Sequence, residues 1–125
     1  MNNPFLIISL GALLGANARY WIGGWAAERF GAGFPYGNLI INLSGSFLLG
    51  LFMTLATERF IIDPRWRVLL AIGFLGSFTT FSSYTYESLE LILFGQWKLG
   101  LLNLFGSAFL GGVAGLLGIL LGRML

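Results

Sequence analysis

The chain has no cysteine and no histidine. Disulfides, thiolate nucleophiles, imidazole bases and most transition-metal sites are therefore excluded, and with them the ordinary hydrolases and metalloenzymes. Charge is scarce as well. Asp, Glu, Lys and Arg make up only 10% of the 125 residues, against roughly a quarter in a soluble domain. The net charge of +2 comes from a few scattered groups, so no nucleic-acid-binding surface is expected.

What the chain has in abundance is apolar surface: 57% of its residues are hydrophobic, and the mean hydropathy is +0.84. This composition belongs to an integral membrane protein. A bilayer-spanning helix needs about 20 mostly apolar residues. Four segments meet that length: Pro4 to Gly24, Tyr36 to Thr57, Val68 to Gly95 and Leu99 to Gly122. They take up most of the chain, so residues 1–125 are read as a single all-α, four-helix transmembrane domain. The first segment is not read as a signal peptide, because it lacks a basic leader, contains Arg19 and is followed by three further spans.

Four helices place both termini on one side of the bilayer. That side carries Arg59, Arg65, Arg67 and Arg123; the other carries Arg29 and Lys98, with Arg19 near the same end of the first helix. The bias is too small for the positive-inside rule to choose an orientation. Insertion both ways round is expected.

Polar residues inside the spans carry the functional signal, since lipid offers them no water. The second helix puts Asn38 and Asn42 on one face. In the third, Gly73 and Gly76 precede a run of hydroxyls, which predicts a break in the helix and freed backbone carbonyls able to hold a small cation. Beyond the break, Thr80, Ser83, Glu87 and Glu90 share a stripe, bordered by Phe81 and Tyr84. The fourth helix repeats the pattern more sparsely, with Asn103, Ser107, Gly111 and Gly115 at four-residue intervals. Gly11 and Gly15 in the first helix are read as packing. Arg19 either snorkels to the headgroups or supplies positive potential at a pore mouth.

These residues resemble one family, the small bacterial fluoride channels (Fluc, also called CrcB). The resemblance covers nearly the whole length. It rests on Gly15 to Arg19, on Gly37-Asn38-Leu39-Ile40-Ile41-Asn42 and above all on the run from Gly73 to Tyr84. It implies an antiparallel, dual-topology homodimer in a prokaryotic plasma membrane, with two fluoride pores and a structural sodium ion at its centre. By position, the pore residues fall on Asn42, Phe81, Tyr84 and Ser107, and the sodium-binding main-chain carbonyls on Gly76 and Thr79. The chain differs from the usual pattern in carrying Tyr84 where the family has Phe, Asn38 where Thr is common, and Gly111 at a second hydroxyl position.

The chemistry of the residues agrees with that implication. Fluoride is small and strongly hydrated, so a selective pore must replace its water with close donors such as amides and hydroxyls. Asn38, Thr80, Ser83 and Glu87 belong to the same candidate polar track. Aromatic rings offer a positive edge to an anion. The main rival is a small proton-coupled exporter of cationic drugs, which needs a membrane-buried carboxylate. The first helix has no acid before Glu28, a feature that favours the channel. A non-transporting membrane assembly factor is the third reading, and it leaves the polar track unexplained.

Overall fold

The computed structural model describes residues 3–125 and is all-helical over its ordered elements. Four helices are long and apolar enough to span a bilayer: α1 (Pro4–Phe30), α2 (Tyr36–Arg59), α3 (Pro64–Leu93) and α4 (Trp97–Met124). The third is interrupted at Thr79 and Thr80, dividing it into α3a (64–78) and α3b (Phe81–Leu93).

Local chemistry sets the boundaries. Asn3 caps α1 by accepting the Phe5 N–H, with Pro4 at the first helical position, where its missing N–H removes no hydrogen bond. The helix ends at Gly31, whose φ of 85° favours glycine. It therefore continues to Phe30, past the Gly24 bound expected from the sequence. At 27 residues it is about 40 Å long, more than the ~30 Å hydrocarbon core requires. Arg19 consequently lies well inside the helix rather than near its end. Asp63 caps α3 in the same manner as Asn3, again followed by proline. The exposed carboxyl of Asp63 is held down at about pKa 2, chiefly by its side-chain hydrogen bond with Arg65.

Two seams hold the bundle together. In the first, α1 lies along the 67–75 stretch of α3a, which is wound as π-helix. A Cβ added to Gly11 would come within 2.3 Å of the Leu69 carbonyl oxygen, and one added to Gly15 within 2.2 Å of that of Phe74. Only glycine permits this approach. In the second seam, α2 packs along α4, where a Cβ on Gly118 would come within 2.2 Å of the Phe47 carbonyl oxygen. Ile41, Leu75 and Phe78 form the buried core between the seams, with Ala18, Ile22 and Phe74 against it. Large apolar side chains such as Leu13, Phe105 and Phe109 face outward, as a lipid solvent allows.

Candidate functional site

The break in α3 organises the polar residues. It falls at Thr79 and Thr80, whose backbones are extended (φ/ψ of −79°/157° and −148°/123°), while Gly76 keeps helical dihedrals. Asn42 of α2 clamps it. The Asn42 Nδ2 donates to the Thr80 carbonyl at 3.0 Å, and the Thr80 N–H donates to Asn42 Oδ1 at 2.8 Å. A peptide offers one donor and one acceptor, so this pair fixes which way the amide faces. Gly45, one turn along α2, makes room for the break: a Cβ there would come within 2.2 Å of the Thr79 methyl.

This clamp changes the backbone ledger. In an unbroken helix the Thr80 N–H would close the turn on the Gly76 carbonyl, and the Ser83 N–H would do so for Thr79. The first goes to Asn42, and the second goes to Thr80 Oγ1 at 3.3 Å. Thr80 is thus the N-cap of α3b rather than a member of its stripe, and the stripe begins at Ser83. The Ser77 carbonyl, also in the last turn of α3a, accepts from Arg19 Nε at 3.2 Å. A guanidinium at a helix C-terminus meets the negative end of the dipole. Arg19 turns inward to that carbonyl instead of reaching for the headgroups.

The expected site residues divide between two regions. A hollow of about 500 Å³ beside the break is lined by Asn42, Gly76, Thr79, Thr80, Phe81, Tyr84 and Ser107, together with Gly111. Phe81 is 78% exposed there, and its ring centroid is 5.7 Å from that of Tyr84, with the planes tilted by 54°. The Tyr84 hydroxyl donates to the Leu104 carbonyl of α4. Arg19, Asn38, Glu87 and Glu90 instead line a separate hollow of about 460 Å³ under the α1–α2 turn. In it the Asn38 amide donates to a Glu87 carboxylate oxygen. Ser83 borders a third hollow with Asn38 and Glu87. The polar track is therefore two clusters, one of amide, hydroxyl and aromatic groups, and one with fixed charges.

Two polar residues escaped the sequence reading as a connected unit. Asn103 and Ser88 are 2% and 0% exposed and hydrogen-bonded to each other across α4 and α3b. The four-residue spacing of Asn103 and Ser107 was the available signal; nothing in the sequence paired them with Ser88. A π-helical stretch at Leu102–Gly106 surrounds Asn103, and such turns recur at functional sites.

Four apolar spans, one broken beside a hollow of amide and hydroxyl groups, define a polytopic helical membrane protein with the hallmarks of ion transport. The chain belongs to the CrcB family: the family described as "CrcB-like protein, Camphor Resistance (CrcB)" matches residues 6–119. Three relatives are each named fluoride-specific ion channel FluC. That of Sulfurihydrogenibium sp. is 46% identical over 97% of this chain and 98% of its own length. The Synechococcus sp. protein is 49% identical over 97% and 92%, respectively. That of Koribacter versatilis is 52% identical over 76% and 75%.

Proposed function

We infer that this chain is the subunit of a fluoride-specific ion channel, which lets fluoride leave the cytoplasm across the plasma membrane and so limits its toxicity. The observation that carries this reading is the hollow at the α3 break, in a chain whose near-full-length relatives bear that name. Asn42, Ser107 and Thr80 offer amide and hydroxyl groups to a dehydrated anion, and Phe81 and Tyr84 offer ring edges. Asn38, Ser83 and Glu87 continue the path toward the charged hollow, where Arg19 attracts the anion to the mouth. Several weak sites in series suit conduction better than one tight site.

The hollow is open, with Phe81 largely uncovered. Polar backbone cannot face hydrocarbon, so a second copy of the chain closes it. The weak orientation bias makes that copy antiparallel. Sodium fits the centre of such a dimer. It is a hard cation that takes oxygen ligands, and the Gly76 and Thr79 carbonyls have each lost the N–H that a continuous helix would give them. Both protomers would contribute this pair, and the ion's part is to hold the two breaks together.

The drug-exporter reading is disfavoured by the position of the acids. Glu87 and Glu90 share their hollow with Arg19, and Glu87 already accepts from Asn38. Expression in a fluoride-sensitive bacterial strain separates the two. Resistance to fluoride with no change toward cationic drugs is expected; the reverse pattern would overturn the channel.

A further inference from the structure

A buried chain of hydrogen bonds runs from α3b to the hollow, and its direction can be deduced from one end. Ser88 Oγ donates to the Tyr84 carbonyl at 2.8 Å. A carbonyl only accepts, so the single Ser88 proton is committed there. Asn103 must then turn its Nδ2 toward Ser88, which it does at 2.7 Å. That orientation leaves Asn103 Oδ1 facing Ser107, whose hydroxyl donates to it at 2.8 Å. Each link forces the next.

The consequence lies at the hollow. Ser107 lines it, yet the Ser107 proton is held by Asn103, and toward the hollow the hydroxyl presents lone pairs. An anion seeks the proton. Fluoride therefore competes with the Asn103 carbonyl oxygen for the Ser107 O–H, and the outcome of that competition sets how firmly Ser107 holds it. We propose that Asn103, kept in orientation by Ser88, is a positioning residue that weakens the Ser107 site so that fluoride leaves it readily. The inference rests on Ser107 lining the fluoride path. Burial strengthens it: Asn103 and Ser88 are nearly inaccessible, so they act on the anion only through Ser107.

The experiment uses purified dimer in liposomes, with fluoride efflux measured over a range of fluoride concentrations. Asn103→Leu keeps bulk and removes both polar atoms. Ser88→Ala leaves Asn103 in place but frees its amide to turn over and donate to Ser107. Both release the Ser107 proton. Each should lower the half-saturating fluoride concentration about threefold to tenfold, the range expected for one net hydrogen bond, and slow the maximal efflux. In a Ser107→Ala background, neither change should have any further effect. If Asn103→Leu destabilises the dimer, Ser88→Ala carries the same expectation with little loss of packing. Equal shifts with and without the Ser107 hydroxyl, or no shift in half-saturation, would overturn the positioning role while leaving the channel reading intact. Should Ser107→Ala alone conduct like the native dimer, Ser107 is not on the path, and this inference falls with that assignment.

Discussion

The seam between α1 and α3a and the junction between α3b and α4 solve the same problem with different means. At the first, glycine lets backbone meet backbone: Gly11 and Gly15 lie against the carbonyls of Leu69 and Phe74. At the second, Gly100 also lies against the Ser88 carbonyl, but side-chain hydrogen bonds join the helices as well, Tyr84 to the Leu104 carbonyl and Asn103 to Ser88. Burial of apolar area does not drive helices together in lipid, so close packing and interhelical hydrogen bonds are the available means. The polar junction ties the helices and holds Tyr84 and Ser107 at the lining of the hollow. The two lie on opposite sides of the Thr79–Thr80 break.

The largest effect is expected where the frame itself is attacked. Gly15→Leu drives a side chain into the Phe74 carbonyl, a backbone group that cannot swing aside. Overpacking of this kind costs about 1–3 kcal/mol or more, and the yield of monodisperse protein on size-exclusion chromatography should collapse. Removal of sodium comes next. If the freed carbonyls of Gly76 and Thr79 hold the ion, thorough exchange into a sodium-free buffer should loosen the dimer and abolish fluoride flux. Unchanged dimer stability and flux would remove the cation from the account.

Substitutions at the polar junction should alter flux more than folding. Phe81→Ile keeps bulk but removes the positive ring edge. With such ring contacts worth about 1 kcal/mol, efflux from correctly folded dimers should fall roughly fivefold. Tyr84 has two parts to play at this junction, since its ring borders the hollow and its hydroxyl ties α3b to α4. Tyr84→Phe should lower stability by about 1 kcal/mol in denaturation and remain conductive at an altered rate. Tyr84→Ile should lose most flux. Equal efflux from the Ile variant would reduce Tyr84 to an interhelical tie.

The smallest effect lies outside the membrane at Asp63. Its carboxyl is lowered from 3.8 to about 2, so its contribution to stability is complete above pH 4 and disappears as pH falls toward 2. Asp63→Asn should therefore unfold slightly earlier than the native chain at neutral pH, with the gap closing in acid and fluoride efflux unaffected.

Much of this was legible in the sequence because its signals are short-range. Span length and apolar runs predicted four helices, and the Gly73–Tyr84 run predicted the interruption in α3. Pro64 and Gly31 punctuated the turns. What escaped were features created by long-range pairing. The place of the break within that run, at Thr79–Thr80, is fixed by Asn42, far away in sequence, which takes the Thr80 N–H. Thr80 leaves the helical stripe for the same reason. The gathering of Arg19 with Glu87 and Glu90 depends on α1 and α3b lining one hollow under the α1–α2 turn, which periodicity along a single helix does not encode. The π-helical stretches at Arg67–Leu75 and Leu102–Gly106 likewise had no local signature.

The central claim is that the hollow at the α3 break conducts fluoride selectively, and efflux from liposomes loaded with fluoride or chloride addresses it most directly. Purified protein should discharge fluoride rapidly, as read by a fluoride electrode, while chloride-loaded vesicles retain their contents. Comparable loss of both ions, or retention of fluoride by vesicles containing folded dimer, would contradict the account.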